Sequence, residues 1–281
     1  MPSLGDPTTA PLVKGMLIGD SKAGKTSALV SLVRAGYRLG ILDMDNKINP
    51  SYFSELLRKE NIGGGGQVTY VQHRDRYVTT GAGTAPKLPA TAFLEACRSC
   101  DKWEDGSKPK EWGPRAILVV DTLNLLSQAA FNQAYGLNPE ARDGRQWYAA
   151  AGKMVEGFLA NLWDSEFATN VLVLSHVTDI ELETEIVKDK QGNIQRQAKP
   201  GSPVKGFPTS IGQALSKHVA KYTNELWCLE TTGAPPNIRR VIRTSSTGRM
   251  DLGTAALDLP KELPADTGLA TIFSILSTPH T

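Results

Sequence analysis

Eight residues near the amino terminus carry the most specific chemistry in the chain. Gly19, Asp20, Ser21, Lys22, Ala23, Gly24, Lys25 and Thr26 spell G-x-x-x-x-G-K-T, a spacing that cradles a polyphosphate. The glycines let the backbone approach an anion closely, the lysine reaches the β- and γ-phosphates, and the threonine hydroxyl ligates Mg²⁺. Such a loop needs a strand before it and a helix after it. Residues 15–18 are a short apolar run, and residues 27–33, opening on Ser27, have a helical pattern ended by Ala35 and Gly36. Strand, loop and helix then aim backbone N–H groups and the helix dipole at one anion, with Ser27 at the edge of the cradle. A Gly/Ser turn that merely contains Lys-Thr is the plainer alternative, and the flanking elements argue against it.

Four further positions extend this set. Residues 117–121 are apolar and end in Asp121, a carboxylate placed to hold Mg²⁺ together with Thr26. Buried strands often end in Asp, so this signal gains its force from the loop upstream. Asp43 and Asp45 leave the end of another apolar run, where ligands collect in open parallel sheets. A carboxylate there can polarise water as a general base; a solvated Asp-x-Asp turn is the bland counterpart. His176 closes residues 171–176. An imidazole at that edge can donate a hydrogen bond to a γ-phosphate and lose it on hydrolysis, whereas many histidines ending buried strands are structural.

These residues need a frame, and the hydrophobic pattern supplies one. Apolar runs alternate with helical patterns through the first two thirds of the chain, which points to βαβ units and a parallel sheet. Strands are expected at 15–18, 39–43, 68–71, 116–121 and 171–176, and helices at 27–33, 50–60, 90–103, 122–135 and 146–163. Residues 74–89 and 104–114 read as loops, and 178–208 resists any regular assignment. A helix at 209–221 precedes strands at 225–230 and 238–244. The expected fold is therefore α/β, with a mostly parallel central sheet flanked by helices and a late antiparallel hairpin. Residues 1–11 read as a tail, 12–259 as one domain and 260–281 as a peripheral segment.

Composition narrows the partners. The chain has 281 residues, 40% of them hydrophobic and 21% charged, with a formal net charge of +2, so any nucleic-acid surface must be local. No apolar run is long enough to span a membrane, and the first residues lack the pattern of a secretory signal. Three cysteines argue against a disulfide framework and suit a reducing cytoplasm. Cys97 and Cys100 form a C-x-x-C, but a structural zinc site needs four ligands, and the pair falls within an expected helix. Arg142 and Arg145 beside Trp147 form a basic and aromatic set suited to a phosphate backbone and a stacked base; a helix-entry loop with a core tryptophan explains them equally well.

Residues 19–26, 41–45, 117–122 and 173–176 stand in the order and approximate spacing of the four core motifs of RecA-type ATPases. From 12 to 249 the chain resembles that family, and most of all the small bacteriophage ATPases that keep only the RecA core, some of which are single-strand annealing or recombination proteins. The resemblance implies a RecA-like P-loop core that uses ATP and Mg²⁺, DNA-stimulated hydrolysis, and a cytoplasmic setting in a bacterial host. It places Lys25 and Asp121 in the catalytic centre, and Asp45 where the family carries its catalytic glutamate, one methylene longer. It places His176 where recombinases carry a glutamine and some hexameric helicases a histidine.

The same resemblance makes 178–208 the counterpart of a mobile DNA loop, with Lys188, Lys190, Arg196, Lys199 and Lys205 as contacts to a single strand. In oligomeric relatives a basic residue near the late strand reaches a neighbour's γ-phosphate; Arg249 is the first choice here and Arg243 the second. The implied partners are single-stranded DNA, further copies of the chain in a ring or filament, and a single-strand binding protein, with no membrane. A hexameric helicase or translocase motor is an alternative, as is a nucleotide-gated loader with weak hydrolysis. Helicase relatives usually add an N-terminal domain, and only roughly a dozen residues precede the first strand, which favours recombination.

Overall fold

The computed structural model describes residues 11–45, 50–59, 67–80, 83–188, 194–234 and 236–278. Its first units follow the hydrophobic pattern closely. They are β1 (Lys14–Gly19), α1 (Lys25–Arg34), β2 (Arg38–Asp43), α2 (Pro50–Lys59) and β3 (Val68–Gln72). A short hairpin, β4 (Tyr77–Thr80) and β5 (Gly83–Pro86), occupies the stretch expected as a loop at 74–89. Then come α3 (Ala92–Asp101), β6 (Gly113–Asp121), α4 (Leu123–Leu137), α5 (Arg145–Trp163) and β7 (Thr169–Ser175).

Residues 178–208 depart from expectation. Where described, they are not irregular but a two-tier antiparallel ribbon, made of β8 (Val177–Glu181), β9 (Thr184–Lys188), β10 (Ile194–Ala198) and β11 (Val204–Pro208). β8 pairs with β11, and β9 with β10. The strands are short and polar, so the cross-strand hydrogen bonds rather than an apolar face define them. The chain closes with α6 (Gly212–Val219), β12 (Glu225–Thr232), β13 (Arg239–Arg243), β14 (Glu262–Pro264) and α7 (Gly268–Leu276).

Eight strands form the central sheet in the order β14-β13-β12-β1-β7-β6-β2-β3. From β12 to β3 every pairing is parallel, while β13 pairs antiparallel with β12 and β14 antiparallel with β13. Period-2 alternation sends neighbouring residues to opposite faces. Met16, Ile18, Leu118, Val120, Val171 and Val173 pack with α3, α4 and α5 on one face. Leu17, Ile41, Ile117, Val119, Leu172 and Leu174 pack with α1 and α7 on the other. Both faces are covered, which is why these strands read as continuous apolar runs.

Two details fix the sheet. Asn170 is fully buried; its Oδ1 accepts the Val13 N–H at 2.8 Å, and its Nδ2 donates to the carbonyls of Pro114 and Ala116 at 2.8 and 3.0 Å. One amide thus ties the entries of β1, β6 and β7 together. At the other edge, the segment expected to be peripheral is integral. β14 extends the sheet, and α7 buries Leu269, Ile272 and Phe273 completely. Phe273 meets Tyr37 edge to face at 5.6 Å.

Candidate nucleotide site

The loop between β1 and α1 has the backbone that its sequence demands. Gly24 has φ 104°, a left-handed conformation that favours glycine, and a side chain on Gly19 would meet the Leu229 carbonyl oxygen at 2.5 Å. No side chain caps the start of α1, and its first turn holds no acidic residue. Its leading N–H groups and the positive end of its dipole are therefore available to an anion. Lys25 is buried, and its ammonium donates to the carbonyls of Gly19 and Asp20 at 2.8 and 2.9 Å. Burial lowers its pKa, opposed by the charges of Asp121, Asp20 and Asp45.

Parallel pairing brings the remaining residues to the same edge. β7 lies between β1 and β6, and Asp121 stands level with Asp43 on β2 and with Leu174 on β7. The Thr26 hydroxyl donates to Asp121 Oδ2 at 2.8 Å. Burial is the main force that pushes the Asp121 carboxyl up to about 6; the Thr26 bond opposes it, Asp43 and Asp45 add to it, and Lys25 opposes it. Two hard oxygen donors side by side suit Mg²⁺, which keeps several waters and takes phosphate oxygens as its other ligands. Among the described residues no group of three or more His, Cys, Asp or Glu is placed to hold a metal alone.

Asp43 and Asp45 separate into two roles. Asp43 is fully buried; it accepts the Gln72 amide at 2.8 Å and the N–H of Asp45 at 3.1 Å. It shapes the turn that presents Asp45, and the Met44 N–H donates to the Asp121 carbonyl at 2.7 Å. Asp45 is half-buried and lines a cavity of about 230 Å³ with His73, Arg74, Asp75 and Asn132. Across the edge, His176 Nδ1 lies 3.3 Å from Lys25 Nζ. His176 is the residue between β7 and β8, and its carbonyl accepts the Thr209 N–H at 2.8 Å.

A second hollow continues the loop on the far side of α1. It measures about 500 Å³ and is lined by Gly24, Ser27, Ala28, Arg240, Glu262 and Asp266, among others. The Arg240 side chain passes along Gly24, with Cδ 3.4 Å from where a Cβ would stand. Arg240 belongs to the basic late strand from which Arg243 was chosen in the sequence; its place beside Gly24 depends on β13 pairing with β12.

Most of the other sequence candidates are held by ion pairs or packing of their own. Arg243 bridges Glu230 at 2.6 Å and Glu262 at 2.9 Å, and Arg249 pairs with Asp179 at 2.6 Å. Arg142 is exposed, and Arg145 pairs with Asp143 at 2.7 Å. Trp147 is half-buried against Tyr135 and Phe131, and its indole N–H donates to the Asn138 carbonyl at 2.7 Å. On the ribbon, Lys199 pairs with Glu183 at 3.2 Å, and Lys205 with Asp251 at 2.6 Å. Lys190 lies outside the described residues, as do the side chains of Lys188 and Arg196. Cys97 and Cys100 share α3, and burial pushes both thiols up, that of Cys97 to about 11.

The mostly parallel eight-stranded sheet flanked by helices, the glycine-rich loop between β1 and α1 and the late antiparallel pair define a mixed α/β fold. No protein-family model and no curated protein matches the sequence. Among solved structures, a KaiC-like protein from the hyperthermophilic archaeon Pyrococcus horikoshii is similar over 90% of this chain and 84% of its own, at 10% identity and a TM-score of 0.43. The RadB recombinase is similar over 84% of this chain and 81% of its own, at 14% identity and a TM-score of 0.43. Flagellar accessory protein FlaH from Methanocaldococcus jannaschii is similar over 89% and 83%, at 9% identity and a TM-score of 0.41. Among the described residues no helix is long and apolar enough to cross a membrane.

Proposed function

We propose that this chain is a Mg-ATP-dependent, RecA-like ATPase that binds single-stranded DNA and promotes annealing or strand exchange as a homo-oligomer. The observation that carries this is the position of His176. Its ring lies beside the P-loop lysine, 3.3 Å from Nζ, and the strand that leaves it is the first strand of the ribbon. Hydrolysis at one end of that connection can thereby be reported to a nucleic-acid strand at the other.

Within this reading, Lys25 leaves the Gly19 and Asp20 carbonyls for the β- and γ-phosphates, and the open N–H groups of α1 bind the same anion. Thr26 and Asp121 would hold Mg²⁺, which would supply charge neutralisation at the phosphates. Asp45 orients and polarises the attacking water. His176 hydrogen-bonds the γ-phosphate and loses that bond after cleavage. The exposed Arg142 and the ribbon, with Lys188, Lys190, Arg196 and Lys199, supply the sequence-independent contacts to the strand. A nucleotide-gated loader with slow turnover is the second reading, favoured by the short side chain at position 45.

ATP turnover with and without single-stranded DNA tests this for the wild type, Lys25→Ala and Asp45→Asn. Stimulation by DNA that both substitutions abolish supports the proposal; absence of DNA binding and of stimulation removes it. Annealing of complementary strands without unwinding of a forked duplex separates recombination from a motor.

A further inference from the structure

Arg249 is fastened to the root of the ribbon by backbone and side chain alike. Its carbonyl accepts the Gly206 N–H at 2.8 Å, and its guanidinium grips both oxygens of Asp179, at 2.6 and 3.2 Å. Asp179 stands three residues after His176. The stretch that follows Arg249 runs back over the sheet. Met250 is buried in the same core as Leu226 and Cys228, and Gly253 exchanges two backbone hydrogen bonds with Leu226, antiparallel to β12.

Asp179, which Arg249 grips, is three residues along the chain from His176, a span of at most roughly 10 Å at about 3.3 Å per extended residue. His176 Nδ1 in turn lies 3.3 Å from Lys25 Nζ, so the ion pair is tethered close to the phosphate-loop lysine. The Asp179 bond chiefly raises the pKa of Arg249, burial opposes this, and the charges of Asp179 and Asp20 add to the rise.

We propose that Arg249 engages the terminal phosphate of a nucleotide bound by its own chain, and that Asp179 holds it in reserve at the root of the ribbon. This rests on the nucleotide site proposed above, and it assigns Arg249 to its own subunit rather than to a neighbour's. The pair is half-exposed, at 51% and 44%, so water and salt weaken it. A triphosphate presents several charged oxygens to the same guanidinium and competes for it. Drawing Arg249 away leaves Lys205–Asp251 as the remaining ion pair at that root among the described residues. Triphosphate binding is thereby coupled to the ribbon through an arginine as well as through His176.

The test is displacement of a fluorescent ADP analogue from the full chain by ATPγS and by ADP. Asp179→Asn releases Arg249, and ATPγS should bind roughly two- to fivefold more tightly, the range of an exposed ion pair, with ADP unchanged. Arg249→Gln should bind ATPγS at least about fivefold more weakly, again with ADP unchanged. A merely structural pair would move both variants in the same direction, and that result overturns the proposal. Recovery of ATP turnover on mixing Arg249→Gln with Lys25→Ala also overturns it, because only an arginine acting across subunits complements in mixed oligomers. If the wild type binds neither nucleotide, the nucleotide site itself fails; if it binds and both variants match it, the role of Arg249 alone fails.

Discussion

Replacing Asp121 with asparagine should stabilise the nucleotide-free protein and abolish its response to Mg-nucleotide. The carboxylate is 5% exposed, and burial above all raises it from the ordinary 3.8 to about 6. A rise of that size corresponds to about 3 kcal/mol of cost for holding the ionised form in the fold. The sign sets the pH window. Below about pH 4 the group is protonated in folded and unfolded chains, and the cost is absent. It grows as pH rises towards 6 and is complete above that, because the unfolded chain ionises first. Asparagine has no charge to desolvate, and its side-chain carbonyl accepts the Thr26 hydroxyl. Urea denaturation should therefore give equal stabilities near pH 4 and an advantage of about 3 kcal/mol for the variant at pH 7.5, or roughly 5–10 °C in Tm. Mg-ATPγS should raise the Tm of the wild type, since a cation facing Asp121 relieves its burial, and leave the variant unmoved. Equal stabilities at both pH values, or Mg-dependent protection of Asp121→Asn, would refute the reasoning.

Asp45→Asn should lower ATP turnover by about 100-fold or more while leaving ATPγS affinity nearly unchanged, whereas Asp45→Glu should keep or raise turnover; steady-state hydrolysis decides, and a fully active Asn variant removes Asp45 as the base. Asn170→Leu leaves one N–H and two carbonyls without their partner and should cost about 3 kcal/mol or more in chemical denaturation; a loss under about 1 kcal/mol would mean that water replaces the amide. Trp147→Ala should destabilise by about 3 kcal/mol through lost packing on Tyr135 and Phe131. If stability holds while affinity for single-stranded DNA falls tenfold, the indole serves as a base-stacking face instead.

The residues that were legible in the sequence obey local rules. The loop at 19–26 is defined by its own spacing, and Asp121, Asp45 and His176 each follow a run whose continuous apolarity marks a strand covered on both faces. What escaped depends on pairing across long separations. Val204 opposes Glu181, and Ile194 opposes Lys188, in strands too short and too polar to show an alternating face. The segment after 259 looked peripheral because prolines and a brief apolar stretch resemble a tail. Its place is set by β14 pairing with β13 and by the space that α1 leaves for Phe273. The structural part played by Asp43 was likewise hidden, since it depends on Gln72 reaching across from β3. No pattern in the sequence could announce that Arg243 would sit between Glu230 and Glu262, or that Arg249 would choose Asp179.

The placement of β7 has a consequence for how such a chain can change over generations. β7 is buried along its whole length and paired on both sides, with β1 and with β6, and the ribbon leaves from its end, with its root fastened to Arg249 and Asp251. The ribbon's tier of β9 and β10 pairs with itself and with no strand of the central sheet. Residues can therefore be inserted, deleted or exchanged in that outer tier while the register that aligns Lys25, Asp121 and His176 stays fixed. Grafting a foreign outer tier onto β8 and β11 would be the natural way to alter what the protein grips while its phosphate chemistry is inherited intact.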